Sequence, residues 1–316
     1  MTFEAGVKLQ NEVMKKLFCL LLCCLYLTVI QAQFPYIEIK NHRAEVAKFG
    51  QIILSEKRDY KKAEKFTVDL TRTDTFACQK TATALLHGIP PDDTTDILLY
   101  IHCMWGGQNF FANKVLRAFV PEIIAPGGRT DKIFSVIWHS GISYKKNIGK
   151  ARISGKKLAD NLGFIMQTVR EESDLPVRFH LLTHSMGHQV LREILRRNAD
   201  NPAFRFTEVI MAGADVPNDI FAVGEDYAEL AACAERITLF VHERDFALKM
   251  SENMTDTRRL GRTPTDYPLP ANVRVLNVTD STEDTKGAGA KISRHVYFFK
   301  SKTVREITIG ILNGKE

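Results

Sequence analysis

The run Leu181-Leu182-Thr183-His184-Ser185-Met186-Gly187-His188 constrains this chain more than any other stretch. An apolar segment stops at a serine, and the residues after it are amphipathic at helical spacing. Val190, Leu191, Ile194 and Leu195 fall on one face, with Arg192, Glu193, Arg196 and Arg197 opposite. The pattern predicts a strand that feeds a helix through a sharp turn, with Ser185 at its apex. A serine held there has its Oγ lifted clear of the backbone. The Met186 N–H then lies at a helix N-terminus, where negative charge is stabilised. Gly187 lets the turn close without a Cβ clash. Thr183 stands two residues before the serine; a β-branched residue suits a strand end but narrows the gap to the helix. The plainer reading of the same string is a helix N-cap, with Ser185 doing only what N-cap serines do.

The rest of the chain alternates in the same way. Phe66–Leu70 reads as an early strand, and Ile97–His102 as a continuous apolar strand covered on both faces. A helix is expected at about Asn109–Ile124, with Phe110, Val115, Phe119 and Ile123 on one side. Ile133–Trp138 is the next strand, Ile153–Glu172 a long helix, Val177–Thr183 a strand and Met186–Asn198 a helix. Phe206–Ala212, Arg236–Val241 and Val273–Val278 are further strands, and Lys302–Leu312 is compatible with helix or strand. The charged stretch Arg58–Lys65 is helix-compatible and reads as a solvated face. Such alternation implies βαβ units, a mostly parallel sheet, and a site at the carboxyl ends of the strands.

A serine hydroxyl is a weak nucleophile. It needs a base, and the base needs an orienting acid. After a strand–serine–helix turn, the acid and then the histidine come in chain order. His188, His242 and His295 are the histidines beyond Ser185. His188 lies one turn along the helix, pointing away, and reads as a packing or surface residue. His242 sits directly beside the favoured acid. His295 comes after the last core strand, where a loop reaches back over the sheet, and is the expected base. Asp245, after the strand ending at Val241, is the expected acid. Asp215, after the preceding strand, is the alternative, and either aspartate could instead serve as a helix N-cap. The oxyanion hole needs a second N–H from the loop after Ile97–His102. Met104 or Trp105 supplies it, with Gly106-Gly107 letting the backbone approach. The segment Asp215–Glu235 reads as a small cap, with Ile220, Phe221 and Tyr227 available to line a pocket.

With these residues in place, the chain resembles the α/β-hydrolase superfamily: a doubly wound, mostly parallel α/β sheet with a small cap. Within it, the chain is similar to a bacterial group of presumed serine hydrolases, domain of unknown function 900. The resemblance rests on Leu181–Gly187, Ala212–Val216, Asp245–Leu248 with Ser251 after it, Leu260-Gly261-Arg262, and the block from His295 to Phe298. It implies the roles of nucleophile, acid and base for Ser185, Asp245 and His295. The chain departs from the group at the oxyanion turn, where Cys103 stands in place of the usual His-Gly pair.

The ends set the compartment. Lys15-Lys16, the apolar residues 17–30 and Ala32 describe a secretory signal peptide, with Met14 as the true start and the cut after Ala32. Residues 1–32 are then over-long start plus signal, and residues 33–316 a single hydrolase domain. An uncleaved segment 17–30 would instead tether the protein, although it is short against the roughly 20 residues of a spanning helix. The signal removes Cys19, Cys23 and Cys24. Cys78, Cys103 and Cys233 remain, so at least one thiol is unpaired, and Cys103 reads as a buried small hydrophobe. No cysteine or histidine spacing suggests a metal, and no cofactor is required. The net charge of +6 is modest, without the basic stripe of a nucleic-acid reader. The expected activity is an exported hydrolase acting on a small-molecule, glycan or lipid ester. The alternative is a catalytically silent hydrolase-fold protein that binds a cell-envelope ligand or partner.

Overall fold

A computed structural model describes residues 36–39, 49–56, 59–69, 75–86, 94–104, 130–138, 140–141, 143–263, 265, 267–282 and 294–315. The strands are β1 (Tyr36–Ile39), β2 (Phe49–Glu56), β3 (Asp59–Asp69), β4 (Thr95–Ile101), β5 (Lys132–Trp138), β6 (Val177–His184), β7 (Phe206–Ala212), β8 (Ala234–Val241) and β9 (Val273–Asn277). The helices are α1 (Thr75–Leu86), α2 (Tyr144–Glu172), α3 (Gly187–Asn198), α4 (Asp226–Ala232), α5 (Phe246–Thr255), α6 (Tyr297–Lys300) and α7 (Lys302–Leu312). Residues Phe34–Glu316 cluster as one unit. The expected signal segment, the expected helix at 109–124, Trp105 and Gly106-Gly107 lie outside the described residues.

The strands form one sheet in the order β3-β2-β1-β5-β4-β6-β7-β8-β9. From β1 to β9 each neighbouring pair is parallel, while β2 and β3 add an antiparallel edge. Successive residues of the central strands face opposite ways. Ile97, Leu99 and Ile101 join one apolar core with Leu181, Met211 and Leu239, under α1, α2, α3 and α4. Leu98, Tyr100, Leu182, Ile210 and Phe240 join the other, under α6 and α7. Burial on both faces is why these strands are apolar throughout. The chain leaves β4 towards β5 and then returns to β6 on the other side. Such a reversal marks the place, beyond the carboxyl ends of the strands on either side of it, here β4 and β6, where ligands of open α/β sheets bind.

Two expectations change, and one reading left open is decided. Asp59–Lys65 is not helical: it is the first part of β3, paired with β2 from Asp59↔Glu56 to Phe66↔Ile52 and on to Asp69. An edge strand has a single neighbour, and lysines along it discourage further pairing, so charge is compatible with strand there. Lys302–Leu312 is helix despite its β-branched residues. Ser301 caps it by accepting from the Val304 N–H, and Val304, Thr308, Ile311 and Leu312 are buried at helical spacing against the sheet. The long helix α2 also begins nearer the N-terminus than expected, at Tyr144.

Candidate active site

Ser185 comes directly after the last residue of β6 and takes φ of 54°, a left-handed value that costs a non-glycine residue about 1–3 kcal/mol. Local bonds hold the strain. Its N–H donates to the Ala212 carbonyl at 3.0 Å, and its own carbonyl accepts from the His188 N–H at 3.1 Å. Gly187 is required by close approach, since a Cβ there would stand 2.6 Å from the His102 carbonyl oxygen and 2.8 Å from that of Ile101. Helix α3 therefore starts pressed against the end of β4. Thr183 does not disturb the turn, because it stays in the β6 ladder opposite Ile101 and Met211.

The Ser185 Oγ lies 2.8 Å from His295 Nε2, and His295 Nδ1 lies 2.8 Å from Asp245 Oδ2. A carboxylate only accepts, so the imidazole carries its proton on Nδ1 and offers a lone pair at Nε2 to the serine O–H. Asp245 is fully buried and does two things at once. Its Oδ1 caps α5 by accepting from the Leu248 N–H at 3.0 Å, which leaves Oδ2 aimed at the histidine. Exposure rises from 0% for the Asp245 side chain to 14% for that of His295, so the relay opens outward from a buried acid. Burial alone pulls the His295 pKa down. The Asp245 charge and hydrogen bond, with a smaller contribution from Asp215, more than reverse this and leave it above 6.5.

The loop carrying His295 is clamped. Tyr297 Oη accepts from the Gly213 N–H at 2.9 Å and donates to the Phe240 carbonyl, tying the loop to the ends of β7 and β8. Gly213, at φ of 52°, lies directly beneath the imidazole; a Cβ there would stand 3.3 Å from His295 Cε1. His184, the last residue of β6, donates its Nε2–H to the His295 carbonyl at 2.9 Å, and its ring packs against those of His295 and Phe298.

Ser185, Asp245 and His295 thus meet. Asp215 does not join them. Its carboxylate accepts from Tyr144 Oη at 3.0 and 2.9 Å and from Ser251 Oγ at 2.6 Å, with Arg259 Nε 3.3 Å away. His242 is turned to Thr282 and to the Arg244 N–H. The Met186 N–H lies at the start of α3, and Met104 directly succeeds Cys103 and stands three residues beyond the end of β4. Cys78, Cys103 and Cys233 are buried thiols, and burial pushes that of Cys103 up to about 12, leaving it unreactive. The pocket expected around Ile220, Phe221 and Tyr227 needs correction. These side chains are 0%, 5% and 0% exposed and belong to the main core, where Tyr227 packs edge-on against Phe221 and donates to the His188 carbonyl. Burying such apolar bulk is favourable, and here it packs against the buried side of α3 at His188.

Residues 78–310 match the family described as alpha/beta hydrolase of unknown function (DUF900). The chain belongs to the DUF900 family of α/β-hydrolases. No curated protein matches it. The family membership accounts for the sheet order and the strand–serine–helix turn together. The sequence singles out neither Tyr144 nor Arg259 around Asp215, and it gives no separate role to Ser251, His184 and Tyr297, which stand there only within the stretches that carry the resemblance. Tyr144 is separated by 71 residues from Asp215 and by 107 from Ser251, so no local pattern announces that cluster. A buried arginine beside Leu260-Gly261 is the one hint that an acid must face it.

Proposed function

We propose that this DUF900 hydrolase is an exported serine hydrolase that cleaves a carboxylic ester or related acyl bond. The observation carrying the proposal is the unbroken series of hydrogen bonds from Ser185 through His295 to Asp245, set on a strained turn at the sheet's switch point. Ser185 Oγ attacks the acyl carbonyl as its proton passes to His295 Nε2. The oxyanion of the tetrahedral intermediate is held by the Met186 N–H and by that of Met104 or Trp105. Collapse breaks the bond to the alkoxide, which leaves with the Nε2 proton, and an acyl group remains on Ser185. Water repeats the sequence, releasing the acid and restoring the serine. Asp245 keeps the imidazole in its Nδ1–H form and stabilises the imidazolium.

No metal or cofactor takes part in these steps. The substrate is a small-molecule ester or one borne on a glycan or lipid, reached through an open crevice. Residues 17–30 direct export to the periplasm or beyond, or, if uncut, tether the enzyme to the membrane; N-terminal sequencing of the exported form separates the two. Turnover of a short-chain nitrophenyl ester by the wild type, lost in Ser185→Ala, is the expected result. Equal turnover by both proteins would contradict the assignment, and activity confined to dispersed long-chain lipid would contradict the open site.

A further inference from the structure

In a planar trans peptide the carbonyl and the N–H point in opposite directions. Anchoring a carbonyl therefore aims the N–H of the same unit. Two of the candidate oxyanion amides belong to units anchored in this way. The Met186 N–H shares its unit with the Ser185 carbonyl, which accepts from His188 Nδ1 at 2.8 Å, from the His188 N–H at 3.1 Å and from the Asp215 N–H at 3.4 Å. The Met104 N–H shares its unit with the Cys103 carbonyl, which is held by His102 Nδ1.

The tautomers are fixed by the partners. His102 Nε2 accepts the Trp138 N–H at 3.0 Å, so the proton is on Nδ1, facing Cys103. The His102 ring stacks on Trp138, whose Nε1–H donates to the His102 carbonyl at 2.9 Å, so neither ring turns freely. His188 Nδ1 faces a carbonyl and must likewise carry the proton. Both imidazoles are fully buried. Burial lowers their pKa values to about 4 for His102 and about 3 for His188, so near neutral pH each keeps one uncharged form. A donor on the carbonyl also polarises the peptide unit and makes its N–H a better donor.

We infer that His188 and His102 are positioning residues that aim two oxyanion-hole amides, Met186 N–H and Met104 N–H, by anchoring the carbonyls of the same peptide units. The inference rests on the serine-hydrolase reading above. It gives work to a histidine that reads as mere packing from the sequence, and it explains how a turn carrying Cys103 keeps a defined amide direction.

Two polar variants at one position make the test. His188→Asn places an amide where Nδ1 stands, and His188→Gln places one where Nε2 stands. H188N is expected to keep kcat within about threefold, and H188Q to lose about 10- to 100-fold in kcat with KM within about twofold. Affinity for a trifluoromethyl ketone, whose adduct carries the oxyanion, should fall by the same factor in H188Q only. The acid limb of the pH profile, set by His295, should not move. Nitrogen NMR of the wild type should show Nδ1–H for both histidines. An active wild type with Nε2–H tautomers, or with H188Q as fast as wild type, would overturn the inference alone. Equal losses in H188N and H188Q would also overturn it, by showing a packing role. A folded wild type that turns over no ester, yet shows both Nδ1–H tautomers, would instead overturn the hydrolase reading and remove the role with it.

Discussion

Asp215 and Asp245 occupy matching places, each buried just beyond a parallel strand, β7 or β8, yet their surroundings give them different work. Around Asp215 stand a phenol, a hydroxyl and a buried guanidinium, which take up its carboxylate and pin α2, α5 and the segment at Arg259 to one another. Asp245 instead gives one oxygen to the cap of α5 and the other to His295. Topology offers two acids, and the counter-charge decides between them. A carboxylate already paired with an arginine has little left to orient a histidine, whereas one bonded to neutral N–H groups keeps its charge for the imidazolium.

This contrast is open to direct attack. The largest effect is expected for Asp245→Asn, which keeps the cap but presents the wrong partner to His295: kcat should fall about 10³- to 10⁴-fold with little change in melting temperature. Asp215→Asn should do the reverse. It leaves Arg259 buried without its counter-charge, so stability should drop by about 3 kcal/mol in urea melts while kcat falls less than about tenfold. An inactive but stable D215N beside an active D245N would exchange the two roles.

The pH dependence sharpens the comparison. In the proposed mechanism His295 must be neutral to accept the serine proton, so kcat/KM should rise with pH through a value above 6.5. Removing the Asp215 charge in D215N weakens the hold on the imidazolium and should move that limb to lower pH. Stability responds through two opposed sets of histidines. The raised His295 contributes stability that is complete below 6.5 and is lost as pH rises through its folded value. His102, His184, His188 and His242, kept neutral by burial, contribute above 6.5 and lose that contribution as pH falls. The second set outweighs the first, so the melting temperature should decline between pH 7 and pH 5, and H188N, which cannot titrate there, should decline less. The smallest effect belongs to Tyr144→Phe. It removes one donor to Asp215 and should cost about 1 kcal/mol without shifting the acid limb.

The parts of the fold that are legible in the sequence are those where burial writes a local pattern. β4, β6, β7 and β8 are apolar along most of their length and stand close to their expected bounds, as does α3, whose Arg196 and Arg197 are exposed as expected while Glu193 is buried. β1, β2 and α1 carry no comparable signal, and β3 is obscured by the charge an edge strand tolerates. α7 is ambiguous because β-branched side chains suit strands, and only packing on the sheet decides for helix. The residues of the candidate site can be picked out because chain order and strand ends restrict them together. The cluster holding Asp215 cannot, since its members are brought together only by the finished fold. His188 falls on the expected helix but is not turned away from the serine. Helical spacing does not show that an imidazole can fold back onto the carbonyl three residues earlier.

The most direct measurement is the intact mass of the chain from Gln33 onward after treatment with a fluorophosphonate, with Ser185→Ala and D245N alongside. An activated Ser185 gives a single adduct in the wild type, none in Ser185→Ala and a much slower one in D245N. A folded wild type that gains no adduct, or an adduct that persists in Ser185→Ala, would contradict a nucleophile at the turn after β6.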